Sequence, residues 1–536
     1  MSSERIQYAL VATLLLIFLA IGSLSVWGKA LTYDEGKHMR YGRNLLEGST
    51  ERFDDSKMPV SALNALPNKL ATFLPEGFIE RVLDAFFTAR MVTFLFSMLV
   101  AWLVFYWSRS LYGVIPGIVS LFLYVFDPNI IAHSQLVTTD LYAWGTIALA
   151  FFCLWRFTHQ RTLLNGLLCA FVLGLSMIAK YTSVVLLPLF LITLFLYDFS
   201  DFSKLWQADR WRSVKEFGAR YFLYMIVAIV ISIFVINIGF LFNKTFTPFG
   251  NYEFRSQTFQ SLQSGLPWLE KAPIPTPYPY LEGLDWVMRR EQTGDGYGSI
   301  YLLGQLRNGR GFKGYYFIAY LLKVPIATQI VVLGALIKYI KDRSWKRLLS
   351  DEVFLFAPIL FFGIYFNFFF NAQIGIRFYL VLFPFLYVFA GSLFSHWREF
   401  ALWQKVASYG LGMYLIVSVL AYFPHYIPYF NEFVWDKRQA YKYLADSNLD
   451  WRQNKFELDK YMAEHPDASF PRAEPAAGHY VVSANRLVGV NSDPAELAWL
   501  RENFEPVDTV AYSYLIFKVS QQKIETLCQI TSYCEY

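Results

Sequence analysis

The stretch LVATLLLIFLAIGSLSVWG, Leu10 to Gly28, contains no charged residue and is long enough to cross a lipid bilayer. A transmembrane helix needs about 20 predominantly apolar residues. The polar stretch LTYDEGKHMRYGRNLLEG, Leu31 to Gly48, follows it directly, so Asp34 and Glu35 are expected just outside the bilayer. Because the apolar part exceeds the roughly 7–15 residues of a signal-peptide core, we predict a retained membrane span.

Comparable apolar runs recur along the whole chain of 536 residues, of which 55% are hydrophobic and only 17% are charged. Soluble domains contain about 25% charged residues. We predict about eleven spans, at residues 6–27, 90–107, 111–126, 140–157, 163–179, 183–197, 221–242, 316–338, 353–370, 378–395 and 404–423. The sequence therefore predicts a polytopic α-helical membrane protein. Its net charge of +5 is too modest to indicate a nucleic-acid-binding protein.

The distribution of basic residues predicts the orientation in the membrane. Short loops on one side of the predicted bundle contain most of the Lys and Arg residues, whereas the opposing short turns contain only Lys180 and Arg377. Short basic loops remain in the cytoplasm, while long segments cross the membrane largely regardless of charge. We therefore expect the segments 28–89, 243–315 and 424–536 to be extracytoplasmic, in a multi-pass protein of the cytoplasmic (inner) membrane.

Two domains are predicted. Residues 1–423 would form a transmembrane catalytic domain with the outer loops 28–89 and 243–315, and residues 424–536 would form a small extracytoplasmic α/β domain. In the second outer loop, the alternating prolines of KAPIPTPYPYLEG (Lys271–Gly283) predict an extended backbone without helix.

The tail contains patterns typical of both strands and helices. HYVVSANRLVGV (479–490) and DTVAYSYLIFKVS (508–520) are rich in β-branched and aromatic residues and predict strands, whereas PAELAWLRENF (494–504) predicts a helix. Cys528 and Cys534 lie in the same segment, where disulfides persist if the compartment is oxidising. A turn between them would allow a bridge and a continuous extended strand would not, so a disulfide and two free thiols both remain open.

Ionisable residues at the ends of predicted spans are the candidate functional residues, because charges at membrane depth are costly. With the orientation above, six of them reach the same outer boundary: Asp34, Glu35, Asp140, Lys180, Lys323 and Arg377. Each also has a purely structural explanation. Asp140 would cap its helix, the three basic side chains would extend to lipid head groups, and the acidic pair would form a solvated turn.

Five short motifs occur in the order YDEGKH, HSQLVTTD, GLSMIAKYTS, LLKVP and IGIRFYLVLFPFL. Together they resemble the GT-C superfamily of membrane glycosyltransferases and, more narrowly, the bacterial relatives of protein O-mannosyltransferases and of the lipid A aminoarabinose transferase. The tail stretch YKYLADSNLDWRQ is similar to a subset of these bacterial enzymes. Arg452 departs from that pattern, since a glycine is expected after the Asp-Trp pair.

The resemblance implies a phospholipid-carrier-dependent glycosyltransferase. A hexosyl or pentosyl group would pass from a polyprenyl-phosphate donor to a hydroxyl of a lipid, glycan or protein acceptor. Asp34 is the implied general base, while Glu35 and Asp140 would orient the acceptor or hold a divalent metal, if one is used. The donor phosphate would be bound by basic side chains, namely Lys180, Arg377 and, as a third candidate, Lys323.

Two other functions remain open at this point. A lipid or solute transporter, such as a flippase, would also place charges at membrane level, and an inactive scaffold would bind lipid-linked sugars without transferring them. A transporter is expected to hold its charged residues near the bilayer midplane, at the interface between internal repeats. An enzyme acting on a membrane-bound donor would hold them at the outer rim.

Overall fold

The computed structural model describes residues 2–52, 54–296, 298–342 and 348–534 of the chain, which is mostly helical. The first eleven helices are α1 (Ser2–Val26), α2 (Glu35–Leu46), α3 (Ser61–Ala71), α4 (Phe78–Asp84), α5 (Phe86–Tyr112), α6 (Val114–Val125), α7 (Pro128–Ser134), α8 (Asp140–His159), α9 (Leu163–Ala179), α10 (Leu186–Ala208) and α11 (Arg210–Gly239). The helices that follow are α12 (Gln257–Gly265), α13 (Tyr278–Thr293), α14 (Tyr315–Lys323), α15 (Ile326–Asp342), α16 (Val353–Phe368), α17 (Phe383–Gly391), α18 (Leu402–Tyr422), α19 (Lys455–Glu464), α20 (Ala484–Val488), α21 (Ala498–Asn503) and α22 (Gln521–Ile530). The strands are β1 (Ser299–Leu302), β2 (Gln305–Asn308), β3 (Ala468–Ser469), β4 (Gly478–Ser483), β5 (Asp508–Val510) and β6 (Tyr514–Val519).

Eight helical stretches in the described part are long and apolar enough to cross a membrane, and ten if each of two bent pairs is one span. The bent pairs are α6 with α7, at 65°, and α14 with α15, at 115°. Helix α9 is apolar but has only 17 residues. The prediction of a polytopic α-helical membrane protein with a small α/β part is confirmed, whereas the count of about eleven spans is not confirmed.

Both bends follow from the local sequence. Between α6 and α7 the Asp127 side chain accepts hydrogen bonds from the amides of Asn129 and Ile130, and Pro128 opens the new helix. This pair of residues is a strong helix start signal, so the chain begins a new helix there. Between α14 and α15, Pro325 has no amide hydrogen and cannot continue the preceding helix.

The segment between α1 and α5 contains three short helices. They are α2, α3 and α4, and α4 leads almost directly into α5. Helix α3 packs closely on α2 at Gly42, where an added Cβ would lie 2.3 Å from the carbonyl oxygen of Ser61. This close approach fixes the position of α2, which begins next to Asp34.

The prediction of an extended, helix-free proline-rich stretch is wrong for its second half. Helix α13 begins at Tyr278 with Pro277 as its N-cap and Pro279 in its first turn. Proline is tolerated there because the first amides of a helix have no intrahelical partner. Further along this segment, β1 and β2 form an antiparallel hairpin.

The tail forms a four-stranded sheet in the order β3-β4-β6-β5, with β6 antiparallel to both β4 and β5. The first predicted strand is confirmed as β4, after which the chain turns helical at α20, where the Ser483 side chain accepts from the Arg486 amide. The second is divided by a turn at residues 511–513 into the antiparallel strands β5 and β6. The predicted helix corresponds to α21. After α22 the chain turns, and Cys528 and Cys534 form a disulfide with their Cα atoms 5.2 Å apart.

One hydrophobic cluster continues from the helical bundle into the tail, from residues such as Trp107 and Phe385 to Trp451 and Phe517. The tail therefore packs on the end of the bundle where α2 and α8 begin. The division into domains at residues 423 and 424 stays a prediction.

Candidate active site

A cavity of about 420 Å³ opens at the end of the bundle where α2 and α8 begin and α9 ends. One side of the cavity is charged, and Asp34, Asp140, Lys180 and Arg377 all line it. The rest of the lining is largely apolar and includes Trp144, Ile147, Phe362, Phe366, Phe378 and Val381. Four of the six residues predicted from the sequence thus share one cavity.

Arg377 is the centre of the charged side. Its Nη1 lies 3.3 Å from a carboxylate oxygen of Asp34 and 3.7 Å from one of Asp140. Lys180 Nζ lies 2.6 Å from the other carboxylate oxygen of Asp140. Two acidic and two basic side chains, from four distant parts of the chain, therefore form one ion-pair network.

The two acids differ in their surroundings. Asp34 occupies the N-cap position of α2, but its side chain makes no capping hydrogen bond and is 26% exposed. The Asp140 side chain is only 8% exposed and pairs with both Lys180 and Arg377. Asp34 is therefore the more accessible carboxylate and the less neutralised one. Asp140 is not the N-cap of α8, because Thr139 occupies that position.

Glu35 lies outside the cavity lining and is completely buried. It accepts hydrogen bonds from Arg90 Nε and Nη2, at 2.8 and 2.6 Å, and from the backbone amides of Thr32 and Val137. Arg90 also donates to the carbonyl oxygen of Ala30. Glu35 therefore joins the segment after α1 to the start of α5 and to the turn before α8, and the structure does not bring it together with the four residues that line the cavity.

We expect Glu35→Gln to destabilise the fold, because Arg90 would be left as an uncompensated buried charge. Removing one partner of a buried ion pair typically costs about 3–5 kcal/mol. Thermal unfolding of the purified protein in detergent measures this, with the exposed Glu76→Gln as the matched control. The double variant Glu35→Gln/Arg90→Gln should recover part of the loss. A melting temperature equal to that of the wild type would contradict the role.

Lys323 also lies away from the cavity. Its side chain is buried, and Nζ donates to the carbonyl oxygens of Ile427 and Asn448 at 2.7 and 2.6 Å. Both acceptors belong to the chain after α18. Lys323 therefore holds the tail against the bundle and is not positioned to bind a phosphate in the cavity.

The cavity lining also contains polar residues that were not predicted from the sequence. Lys57 pairs with Asp54 at 3.4 Å, and His38 Nδ1 lies 3.1 Å from Ser61 Oγ. Burial, followed by the charge of Lys57, lowers the pKa of His38 to about 3, so its imidazole is neutral at physiological pH. His38 thus offers a neutral hydrogen-bonding group beside Asp34.

A metal site would require several ligands in one place. Within the described ranges, no group of three or more His, Cys, Asp and Glu side chains is arranged to hold a metal ion. Asp34 and Asp140, the two carboxylates of the network, are paired with cationic side chains.

Part of the chain is similar to a known protein family. Residues 73–237 match the family model described as dolichyl-phosphate-mannose-protein mannosyltransferase. This segment runs from just before α4 into α11 and contains Asp140 and Lys180, but neither Asp34 nor Arg377. No curated protein sequence matches this chain.

Several solved structures are similar at low identity. The oligosaccharyltransferase AglB from Archaeoglobus fulgidus, in complex with an inhibitory peptide and a dolichol-phosphate, is 13% identical with a TM-score of 0.46. The similarity covers 86% of this chain and 60% of that chain, so this protein spans less than two thirds of the length of AglB. ArnT from Cupriavidus metallidurans in the apo state is 13% identical with a TM-score of 0.35, over 98% of this chain and 99% of that chain. The family-model match confirms the predicted resemblance to membrane glycosyltransferases of the protein O-mannosyltransferase type over residues 73–237.

Proposed function

We propose that this chain is a membrane glycosyltransferase that moves a hexosyl or pentosyl group from a polyprenyl-phosphate-linked donor to an acceptor hydroxyl. The observation that carries the proposal is the ion-pair network around Arg377 in a cavity with an apolar wall. Transfer from a phosphate carrier needs a base for the acceptor and cations for the leaving phosphate. The network offers both within one cavity.

In the proposed reaction, Asp34 accepts the proton of the acceptor hydroxyl. The acceptor oxygen attacks the anomeric carbon of the sugar and forms the new glycosidic bond. The bond between that carbon and the phosphate oxygen breaks, and its electron pair leaves with the polyprenyl phosphate. Arg377 and Lys180 bind the negative charge that develops there.

Asp140 has a different role in this proposal. A carboxylate that is paired with two cations is a poor proton acceptor, because protonation would sacrifice both ion pairs. Asp140 instead holds Lys180 and Arg377 at the spacing that a phosphate requires. Glu35 and Lys323 support the surrounding chain and take no part in the chemistry.

The donor and the acceptor would use different parts of the cavity. The apolar wall, which includes Trp144 and Phe362, suits the first isoprenoid units of the donor, because aromatic and aliphatic surfaces bind hydrocarbon chains. The acceptor, a lipid, glycan or protein, would enter past the segment 243–315, whose Trp286 and Val287 also line the cavity. The distribution of basic residues supports an orientation with this end of the bundle at the outer face of the cytoplasmic membrane.

The position of the charges favours an enzyme over a transporter. Asp34 lies beyond the end of α1, Asp140 is the first residue of α8, and Lys180 follows the last residue of α9. A transporter is expected to hold its substrate near the bilayer midplane, within broken helices. Charges at helix ends suit a reaction at the membrane surface.

The test separates transfer from transport by its product. Membranes of a deletion strain, with and without the complementing gene, are analysed by mass spectrometry for lipid-linked sugars and glycans. We expect the deletion to accumulate an intact polyprenyl-phosphate sugar and to lose one glycan species whose mass differs by a single sugar. Purified protein should then convert that donor to free polyprenyl phosphate. Donor that crosses a liposome membrane chemically intact would instead identify a flippase.

A further inference from the structure

The tail reaches the candidate active site through residues 446–454. In this segment the Trp451 indole stacks on the Arg377 guanidinium, with the guanidinium carbon 4.0 Å from the ring centroid. The Trp451 carbonyl oxygen accepts a hydrogen bond from the amide of Tyr33, the residue before Asp34. Trp451 thus contacts Arg377 directly and also contacts the backbone of the residue that precedes Asp34.

Asn448 holds the same segment in place from the other side. Its Oδ1 accepts from the amide of Ile376, which precedes Arg377, at 3.0 Å, and its Nδ2 donates to Tyr315 Oη at 2.9 Å. Its carbonyl oxygen is one of the two acceptors of buried Lys323. The backbone on either side of the Arg377–Trp451 contact is therefore fixed by buried hydrogen bonds.

The Arg377 guanidinium has aromatic contacts in addition to its ion pairs. Its Nη1 faces the two carboxylates, while its Nε is buried and has no hydrogen-bond partner in the described part of the chain. A guanidinium is planar and stacks on an aromatic face, and the Trp451 indole is only 7% exposed. If an incoming phosphate displaces the carboxylates from Nη1, the stacked indole remains as the nearer aromatic contact, since the Phe378 ring centroid lies 5.1 Å from the guanidinium carbon.

We propose that Trp451 is a positioning residue for the donor phosphate, which keeps the Arg377 guanidinium turned toward the cavity. This inference rests on the proposed function and extends it, because it makes the tail an integral part of the phosphate site. Trp451 does not touch the reacting atoms and acts only through Arg377.

The experiment measures binding of undecaprenyl phosphate to the purified full-length protein. We expect Trp451→Leu to raise the dissociation constant about tenfold, which corresponds to about 1.4 kcal/mol. Trp451→Phe keeps an aromatic face for the guanidinium and should remain within about threefold of the wild type. If the leucine variant does not purify as folded protein, Trp451→Met fills the site with a flexible apolar side chain and gives the same test.

A control separates positioning from general damage to the tail. Trp499 is buried in the tail, and its Nε1 donates to the carbonyl oxygen of Arg472. Trp499→Leu should therefore lower the melting temperature and leave the dissociation constant unchanged. In an Arg377→Ala background, Trp451→Leu should change binding less than twofold, because both residues would act as one unit.

The possible results distinguish the positioning role of Trp451 from the proposed function of the chain. Equal binding by wild type and Trp451→Leu would overturn the positioning role alone, as would a full tenfold effect in the Arg377→Ala background. A wild-type protein that does not bind undecaprenyl phosphate would contradict the proposed function, and the positioning role with it.

Discussion

Asp34→Asn is expected to lower the turnover number about 10²–10⁴-fold, the usual cost of losing a positioned general base. The amide keeps the size of the carboxylate but cannot accept the proton of the acceptor hydroxyl. Asp34 is also the more accessible acid of the network, with one ion-pair contact to Arg377 against two cations on Asp140. The variant should therefore fold normally and bind donor while failing in transfer.

The measurement is single-turnover transfer by purified protein at saturating donor. Glu47→Gln, an exposed acid at the other end of α2, is the matched control and should retain full activity. Near-wild-type turnover by Asp34→Asn would exclude Asp34 as the base. A loss of thermal stability as large as that expected for Glu35→Gln would instead assign Asp34 a structural role.

The meeting of distant charges at one end of the bundle was predictable from the sequence. A helical membrane protein alternates direction at each span, so residues at every second span end lie on the same side. Asp34, Asp140, Lys180 and Arg377 each follow or begin an apolar run of that kind. Their contact in one cavity is therefore consistent with topology alone.

The separate roles of Asp34 and Glu35 were not predictable in the same way. Neighbouring residues at a helix start point about 100° apart, so only one of them faces a given neighbour. Here Asp34 faces Arg377 and Glu35 faces Arg90, at the start of α5. The sequence is equally compatible with the reverse arrangement, in which Glu35 would face Arg377 and Asp34 would face Arg90. Only the packing of α5 against the segment after α1 decides between the two.

The contacts that the tail makes with the bundle could not be predicted from local sequence patterns either. Lys323 pairs with backbone carbonyl oxygens more than 100 residues away, and any residue type offers a carbonyl. Arg452 did carry a signal, because the resemblance indicates a glycine at that position. The Arg452 backbone is left-handed, with φ at 73°, a conformation that glycine adopts without steric cost. The left-handed backbone conformation at this position thus explains why a glycine is expected there.

Arg377→Ala is expected to weaken donor binding and to lower the turnover number about 10²–10³-fold, as when one donor of charge stabilisation is removed. Arg377 is the one cation of the described network that contacts both acids, and the leaving phosphate would develop its charge beside it. Lys180→Ala should have a smaller effect in the same direction, because Lys180 contacts Asp140 alone in this network. Arg377→Lys should recover only part of the activity, since an ammonium has neither the two-pronged geometry nor the planar face that Trp451 contacts.

Donor titration of initial rates measures both the donor affinity and the turnover number, with the exposed Arg438→Ala in the tail as the control. Unchanged donor affinity and turnover in Arg377→Ala would rule out a phosphate-binding role, and the network around it would then have to be explained as a purely structural feature.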